Sequence, residues 1–255
     1  MKNGICLLAF IPQRLKPKDS SEMVSQILFG ETFTILQNED KWSYVENDFD
    51  GYQGWISQNS FSLISEEEKT KIQNTPNWLN TDPLLTVRVD SNPLLLPAGS
   101  LCFGIESSFQ ILNTTYTLET FIHRKKSELL TDTIISTALN LINTPYLWGG
   151  RSSFGIDCSG FVQLCFRAAG IQLHRDAGQQ AEQGQTICIQ EALSNDIAFF
   201  SNQAGKIIHV GILLDKKNII HASGKVRKDL LDEKGIFNRE SETYTHSLCL
   251  IKRMV

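Results

Sequence analysis

The chain has 255 residues, more than one average domain, and its 41% hydrophobic content, with fourteen Phe and four Trp, can fill packed cores. Lys and Arg number 24 against 28 Asp and Glu, a net charge of -4 with no basic cluster, which argues against a nucleic-acid partner. No segment approaches the roughly 20 apolar residues that a membrane-spanning helix needs, so no membrane partner is expected. The six cysteines, at positions 6, 102, 158, 165, 188 and 249, show neither CxxC pairing nor a His-rich spacing, and read as reduced thiols with no metal and no cofactor implied. The first apolar stretch, Ile5 to Ile11, stops at Pro12 and is followed by Gln13-Arg14-Leu15-Lys16 rather than a small-residue cleavage site. It is expected to be a β-strand and not a secretion signal, and a cytoplasmic location is expected.

From Gly30 to Leu63 short alternating segments, Thr32–Leu36, Trp42–Val45 and Gly54–Ile56, are separated by polar turns, the pattern of a small antiparallel barrel. The order Gly30-Glu31, Phe33-Thr34-Ile35-Leu36, Trp42-Ser43-Tyr44-Val45 and Gly51-Tyr52-Gln53-Gly54-Trp55-Ile56 resembles a bacterial SH3 (SH3b) domain over roughly residues 5–63. Residues 1–64 are assigned to it. The charged run Ser65-Glu66-Glu67-Glu68-Lys69 and the polar residues after it read as a linker over 65–78. Residues 79–126 alternate again, at Leu84–Val87, Leu94–Leu96 and Phe109–Ile111, and suggest a second SH3b-like barrel without its Trp signature. After Lys126 the period becomes helical: Thr131 or Asp132 can cap a helix carrying Ile134, Ile135, Ala138, Leu141 and Ile142, which ends at Thr144-Pro145. This opens a third domain, 127–255.

The chemistry concentrates in Pro145-Tyr-Leu-Trp-Gly-Gly-Arg-Ser-Ser-Phe-Gly-Ile-Asp-Cys-Ser-Gly-Phe-Val162. Residues 158, 161, 162, 165, 166 and 169 fall on one helical face, with Gly170 placed to end the helix and Asp157 to cap it. Cys158 then stands at a helix N-terminus, where unpaired N–H groups favour negative charge and thiol pKa values can fall from ~8.5 to roughly 3.5–7.5. A pre-activated thiolate is therefore expected. Cys165, two turns on, reads as core.

A cysteine nucleophile needs a base, and the base an orienting partner. Ile207–Leu214 reads as a strand, Asp215–Asn218 as a turn and Ile219–Ser223 as the returning strand, so His209 and His221 share a hairpin. A loop of odd length puts both imidazoles on one face, and if Gly211 faces His221 they are diagonal neighbours, with Gly211 leaving them room. His123, His174 and His246 are read as structural or exposed.

Trp148-Gly-Gly, Asp157-Cys-Ser-Gly-Phe and His209-Val-Gly together resemble the NlpC/P60 family over residues 127–255. The resemblance implies an α+β chain: a papain-like NlpC/P60 catalytic domain preceded by two small SH3b β-barrels. It implies that Cys158 attacks an amide carbonyl, His209 carries the proton and His221 orients His209, with Tyr146 near the nucleophile. The resemblance is strongest to enzymes of murein recycling that cut between γ-D-glutamate and a diamino acid in peptides with a free N-terminal L-alanine. It carries the substrate-binding roles to Trp148, Asp157, Ser159 and Asp176, the last pairing with the ammonium group, and from the first barrel to Glu22 and Tyr52. Where this family often has Pro, the chain has Ser153 and His174. A murein peptide is the implied partner, and a monomer is expected. The competing readings are an SH3b-mediated cell-wall-binding protein and a Cys-His acyltransferase or amidase of the same superfamily.

Overall fold

In the first third of the chain alternating apolar residues fold into a run of short strands, seen in a computed structural model that describes residues 2–104, 107–119 and 130–254. The strands are β1 (Lys2–Ile5), β2 (Phe10–Arg14), β3 (Met23–Leu28), β4 (Thr32–Glu39), β5 (Trp42–Asn47), β6 (Gln53–Ser57) and β7 (Ser62–Ile64). They form one sheet in the order β3-β2-β6-β5-β4-β1-β7, whose inner face buries Ile11, Ile27, Phe33, Val45 and Ile56. The apolar stretch Ile5–Ile11, expected as one strand, is instead broken between β1 and β2, because Cys6 and Ala9 turn away to bond Glu31, Gly30 and Phe29 through their main chains.

The polar run 65–78, expected as a linker, is ordered. It forms α1 (Glu66–Asn74), closed by a reciprocal capping box in which the Glu68 amide donates to Ser65 Oγ at 3.1 Å and the Ser65 amide to Glu68 Oε2 at 2.8 Å. Lys69 on this helix is buried and donates to Asp48, Thr34 and Asn3 at 2.8, 2.9 and 3.3 Å. Next come β8 (Asn77–Leu79), β9 (Leu84–Val89), β10 (Asn92–Pro97), β11 (Leu101–Phe103), β12 (Ser108–Ile111) and β13 (Thr114–Leu118). They make a four-stranded sheet, β10-β9-β13-β12, and a β8–β11 pair. Its core residues Leu85, Val87, Leu96, Phe109 and Tyr116 pack with Ile5, Phe29 and Ile64 of the first sheet, so the two strand bodies share one apolar interior.

By compactness the chain divides into Met1–Lys126 with Trp148–Ser153, and Ser127–Leu147 with Phe154–Val255. Trp148–Ser153, including β14 (Arg151–Ser152), lies within the expected 127–255 span but groups by compactness with the first unit. The cause is local. Arg151 is buried and donates to both Glu31 carboxylate oxygens at 3.0 and 3.2 Å and to the Gln26 carbonyl at 2.6 Å. Gly149 has φ +76°, and a Cβ there would come 2.4 Å from the Met23 carbonyl oxygen. His123 and the expected boundary at 126/127 lie outside the described residues.

The second unit holds α2 (Leu130–Asn140), β15 (Gly155–Ile156), α3 (Cys158–Ala168) and α4 (Ala177–Gln180). Its strands are β16 (Gln185–Ile187), β17 (Ile197–Ser201), β18 (Ile207–Leu213), β19 (Asn218–Ser223), β20 (Lys225–Asp232), β21 (Gly235–Asn238) and β22 (Thr243–Arg253). Thr131 and Asp132, expected as caps, lie inside α2. The sheet order is β16-β22-β17-β18-β19-β20-β21, and β21 also pairs β22, closing six antiparallel strands into a ring. Helix α3 packs against β18, β19 and α2. Its residues Phe161, Val162, Cys165 and Phe166 are fully buried, so the core role expected of Cys165 holds. Among the described residues no helix is long and apolar enough to cross a membrane.

Candidate active site

The N-terminus of α3 is set by Asp157, in extended backbone (φ -92°, ψ 177°), whose Oδ1 accepts the Gly160 amide at 2.7 Å. Cys158 is the first residue of the helix, and Gly170, with φ +79°, follows its end. The Asp157 carboxylate is held by the guanidinium of Arg175, one of the largest fully buried side chains, at 3.1 and 2.5 Å. Ser159 Oγ accepts from Arg175 at 2.9 Å and donates to Asp157 at 3.2 Å. Asp157 and Ser159 are both buried. Gln180 of α4 fastens the same corner, donating to the Ser159 and His174 carbonyls at 3.0 and 2.8 Å.

The two histidines expected as base and orienting partner lie on the neighbouring hairpin. In the β18–β19 ladder Gly211 faces His221, the register that the two-histidine reading requires. Side chains on one face of a ladder repeat every second residue, so His209, Gly211, Ile219 and His221 share a face. A Cβ at 211 would stand 2.8 Å from the His221 Cβ. The rings meet: His209 Nε2 lies 2.8 Å from His221 Nδ1. The Cys158 sulfur accepts hydrogen bonds from the amides of Ser159 and Val210, the second being the residue that follows His209. That bond ties the thiol to β18 at the residue next to His209.

Three residues that sequence reasoning did not assign complete the cluster. Asp229 Oδ2 is 3.0 Å from His221 Nε2, and Arg227 grips the same carboxylate through Nε at 2.7 Å and a terminal nitrogen at 3.1 Å. The His246 ring stacks on His209, centroids 4.1 Å apart and planes inclined by 24°. Read from the sequence as structural or exposed, it is half-buried, and strand β22, pairing β17 and β21, brings it to His209. A sequence signal existed for Asp229. The turn Ser223-Gly224-Lys225 pairs Ile219 with Asp229 and His221 with Arg227, which puts both charges on the histidine face.

This cysteine at a capped helix N-terminus, with two bonded imidazoles on the adjacent hairpin, falls inside the segment 143–244 that matches the NlpC/P60 family model. The chain carries an NlpC/P60 peptidase domain. Residues 14–61, ahead of the NlpC/P60 domain, match the bacterial dipeptidyl-peptidase SH3 domain model. Relatives that align along most of the chain include two dipeptidyl-peptidases. One is the gamma-D-glutamyl-L-lysine dipeptidyl-peptidase of Bacillus subtilis (strain 168), 28% identical over 90% of this chain and 80% of its own. The other is dipeptidyl-peptidase 6 of Lysinibacillus sphaericus, 26% identical over 91% of this chain and 92% of its own. A crystal structure of an NlpC/P60 family protein from Bacillus cereus ATCC 10987 shares the fold, with a TM-score of 0.83 at 20% identity over 99% of each chain.

Within the NlpC/P60 domain the electrostatics differ from expectation. Burial, then the Asp157 carboxylate, push the Cys158 thiol up to about 12, against the smaller opposing pull of Arg175 and the two amides. Burial thus works against the pre-activated thiolate expected from the helix position and favours the thiol. Burial, then the neighbouring His221 and His246, hold His209 well below the usual imidazole value. Both shifts favour the uncharged forms, thiol and neutral imidazole. Asp229 is pushed up by burial, but the hydrogen bonds from His221 and Arg227 outweigh this and hold it below the usual carboxylate range, so it is ionised.

The remaining expected residues are placed as follows. Tyr146 is half-buried, and burial followed by the nearness of Cys158 and Asp157 raises its hydroxyl above the usual range. Asp176 is exposed, at the N-cap of α4. In the first unit Trp148 is 60% exposed and donates its indole N–H to Glu22 Oε1 at 2.7 Å. Tyr52 there is half-buried, and its carbonyl accepts from Gln13 at 3.3 Å.

Proposed function

We propose that this NlpC/P60 peptidase is a cytoplasmic cysteine endopeptidase of murein recycling, hydrolysing the γ-D-glutamyl–diamino acid bond of peptidoglycan-derived peptides with a free N-terminal L-alanine. In this reading the chain is a monomeric α+β protein with a papain-like catalytic domain, and both strand bodies ahead of that domain are SH3b barrels. The observation that carries it is the Cys158 thiol bonded to the Val210 amide, next in chain to His209 of the bonded His209–His221 pair, in a chain that aligns along most of its length with a relative named gamma-D-glutamyl-L-lysine dipeptidyl-peptidase.

The geometry supports a stepwise acyl transfer. His209 Nε2 is engaged by His221, which leaves Nδ1 for proton traffic with the nucleophile. As the sulfur attacks the γ-glutamyl carbonyl, the S–H bond breaks, its proton passes to His209 Nδ1, and an S–C bond forms while the carbonyl π pair moves onto oxygen. The Cys158 amide, at the first position of α3, is assigned as a donor for that oxyanion. Collapse expels the diamino acid amine, which takes the proton back from His209. Water then hydrolyses the thioester by the same proton route.

The free amine is assigned to Asp176. An ammonium group withdrawn from water without a counter-charge would cost several kcal/mol by order of magnitude, so a carboxylate there converts a general peptidase into one selective for unblocked peptides. Tyr146, Trp148, Asp157, Ser159, Glu22 and Tyr52 keep their reading as substrate-selecting residues. For Asp157 and Ser159 the Arg175 network supports an indirect part, holding the helix start in shape.

The test compares L-Ala-γ-D-Glu-L-Lys and its diaminopimelate counterpart with their N-acetylated forms, following release of L-Ala-D-Glu. Cleavage of the free peptides and a kcat/KM loss of about 100-fold on acetylation, about 2.7 kcal/mol, is expected. Equal rates on free and blocked peptides would remove the amine-binding role. No cleavage of any peptide, with turnover of a lipid ester or another acyl donor, would point to an acyltransferase. Retention on purified sacculi without hydrolysis would point to wall binding.

A further inference from the structure

Behind the histidine pair lies a buried ionic assembly that the proton route just described does not use. The Asp229 side chain is 1% exposed. One of its oxygens meets His221 Nε2 at 3.0 Å and Arg227 Nε at 2.7 Å. The other accepts from Arg227 at 3.1 Å and from the Arg239 amide at 3.4 Å. Arg227 is itself pinned by Glu240 at 2.9 Å and Asn238 at 3.2 Å. An ionised carboxylate only accepts hydrogen bonds, and both of its oxygens are occupied by donors. The group between it and the base is a single imidazole, whose two nitrogens point one each way.

We propose that Asp229, held by Arg227, is a positioning residue that fixes the tautomers of both histidines and so leaves His209 Nδ1 free to take the thiol proton. Donor and acceptor roles are fixed one after another along the row. Asp229 accepts, so His221 must carry its proton on Nε2. His221 Nδ1 is then an acceptor, so His209 must donate to it from Nε2. A neutral imidazole has one N–H, so His209 Nδ1 is left with a lone pair. Reverse the first step and every later one reverses. A donor in place of the carboxylate would put the His221 proton on Nδ1, which would donate to His209 Nε2 and leave Nδ1 of the base already protonated. Such a base cannot accept from the thiol. The carboxylate also lies where it stabilises positive charge appearing on the two rings as the proton arrives, without itself taking that proton.

The proposal rests on the peptidase reading only in giving His209 the role of base, and its primary test needs no substrate. Nitrogen-15 NMR of the imidazoles in the wild-type protein at neutral pH is expected to show His209 and His221 both protonated on Nε2 and bare on Nδ1. A wild-type His221 protonated on Nδ1 would overturn the proposal whatever the activity. In Asp229→Asn, whose amide can donate to His221 Nε2, the spectra should show both rings protonated on Nδ1. On a cleaved peptide its kcat should fall about 10²- to 10⁴-fold while KM stays within about threefold. A folded Asp229→Asn protein with wild-type tautomers or wild-type kcat would equally overturn it. If Asp229→Asn does not fold, the wild-type spectrum decides alone. Arg227→Gln, which leaves the carboxylate in place, is expected to keep the wild-type tautomers and lose less than a tenth as much kcat as Asp229→Asn. Inverted tautomers in Arg227→Gln would move the role from Asp229 to the arginine.

Discussion

Gly211 stands directly across the β18–β19 ladder from His221, so close that a methyl group there would lie 2.8 Å from the His221 Cβ and equally near the Ile219 side chain. The diagonal contact of His209 with His221 exists because nothing occupies that space. Gly211→Ala is therefore expected to destabilise the protein by about 1–3 kcal/mol through overpacking and to lower kcat at least about tenfold, because His221 must shift from His209. Denaturant unfolding and steady-state kinetics check both. Unchanged stability and rate would show that the pair tolerates displacement.

Arg175 and Asp157 form a buried ion pair under the nucleophile, 2.5 Å apart. Removing one partner leaves a charge in an apolar site, so Arg175→Met is expected to cost about 3–5 kcal/mol. Asp157→Asn with Arg175→Met together should recover part of this, since no lone charge remains. A double variant at the sum of the two losses would contradict the pairing.

The first unit offers a parallel case at Arg151 and Glu31, whose side chains are 3% and 2% exposed. Arg151→Met is expected to lose about 3–5 kcal/mol of stability. Arg151→Lys should recover little, because an ammonium cannot reach both Glu31 oxygens and the Gln26 carbonyl in the same fork. Thermal unfolding of the two variants decides it.

The protonation state at rest has two consequences with fixed signs. With the Cys158 thiol pushed up to about 12, its alkylation by iodoacetamide should rise about tenfold per pH unit through the neutral and mildly alkaline range. A rate flat from acid to neutral pH would mean a thiolate–imidazolium pair instead. His209 lies well below its unfolded value of 6.5, so the folded protein binds fewer protons than the unfolded one beneath that pH. Stability is then fully present above 6.5 and is lost as pH falls, at up to about 1.4 kcal/mol per pH unit for that group. His246, lowered to about 4 first by burial and then by His221, acts in the same direction between those values. Urea unfolding at about pH 7 and about pH 5 should show the drop, and a stability that rises on acidification would contradict it.

Much of this site was legible because its determinants are local. The cap at Asp157, the face 158–161–162–165–166–169 and the end at Gly170 are consequences of spacing within one helix. The Gly211–His221 register could be stated as a condition because a short loop joins the two strands. The Ser65-x-x-Glu68 capping box was equally local, yet a polar composition hid a helix that is fastened by Lys69 rather than by an apolar face. His246 was not legible, since β22 reaches His209 only by pairing with strands far away in sequence. Nor was the charge state of Cys158, because helix position favours the anion while burial depends on everything packed around it, and here burial is the larger effect. Grouping Trp148–Ser153 with the first unit depends on Arg151 finding Glu31, a pairing 120 positions apart.

The most direct test is hydrolysis of L-Ala-γ-D-Glu-L-Lys by the purified chain, followed by release of L-Ala-D-Glu in parallel with Cys158→Ala and His209→Ala proteins that unfold like the wild type. The account predicts cleavage at the γ-glutamyl bond by the wild type, accumulation of a thioester on Cys158 when the reaction is quenched early, and at least about a 10³-fold loss in each variant. Undiminished cleavage by the Cys158→Ala protein would contradict it.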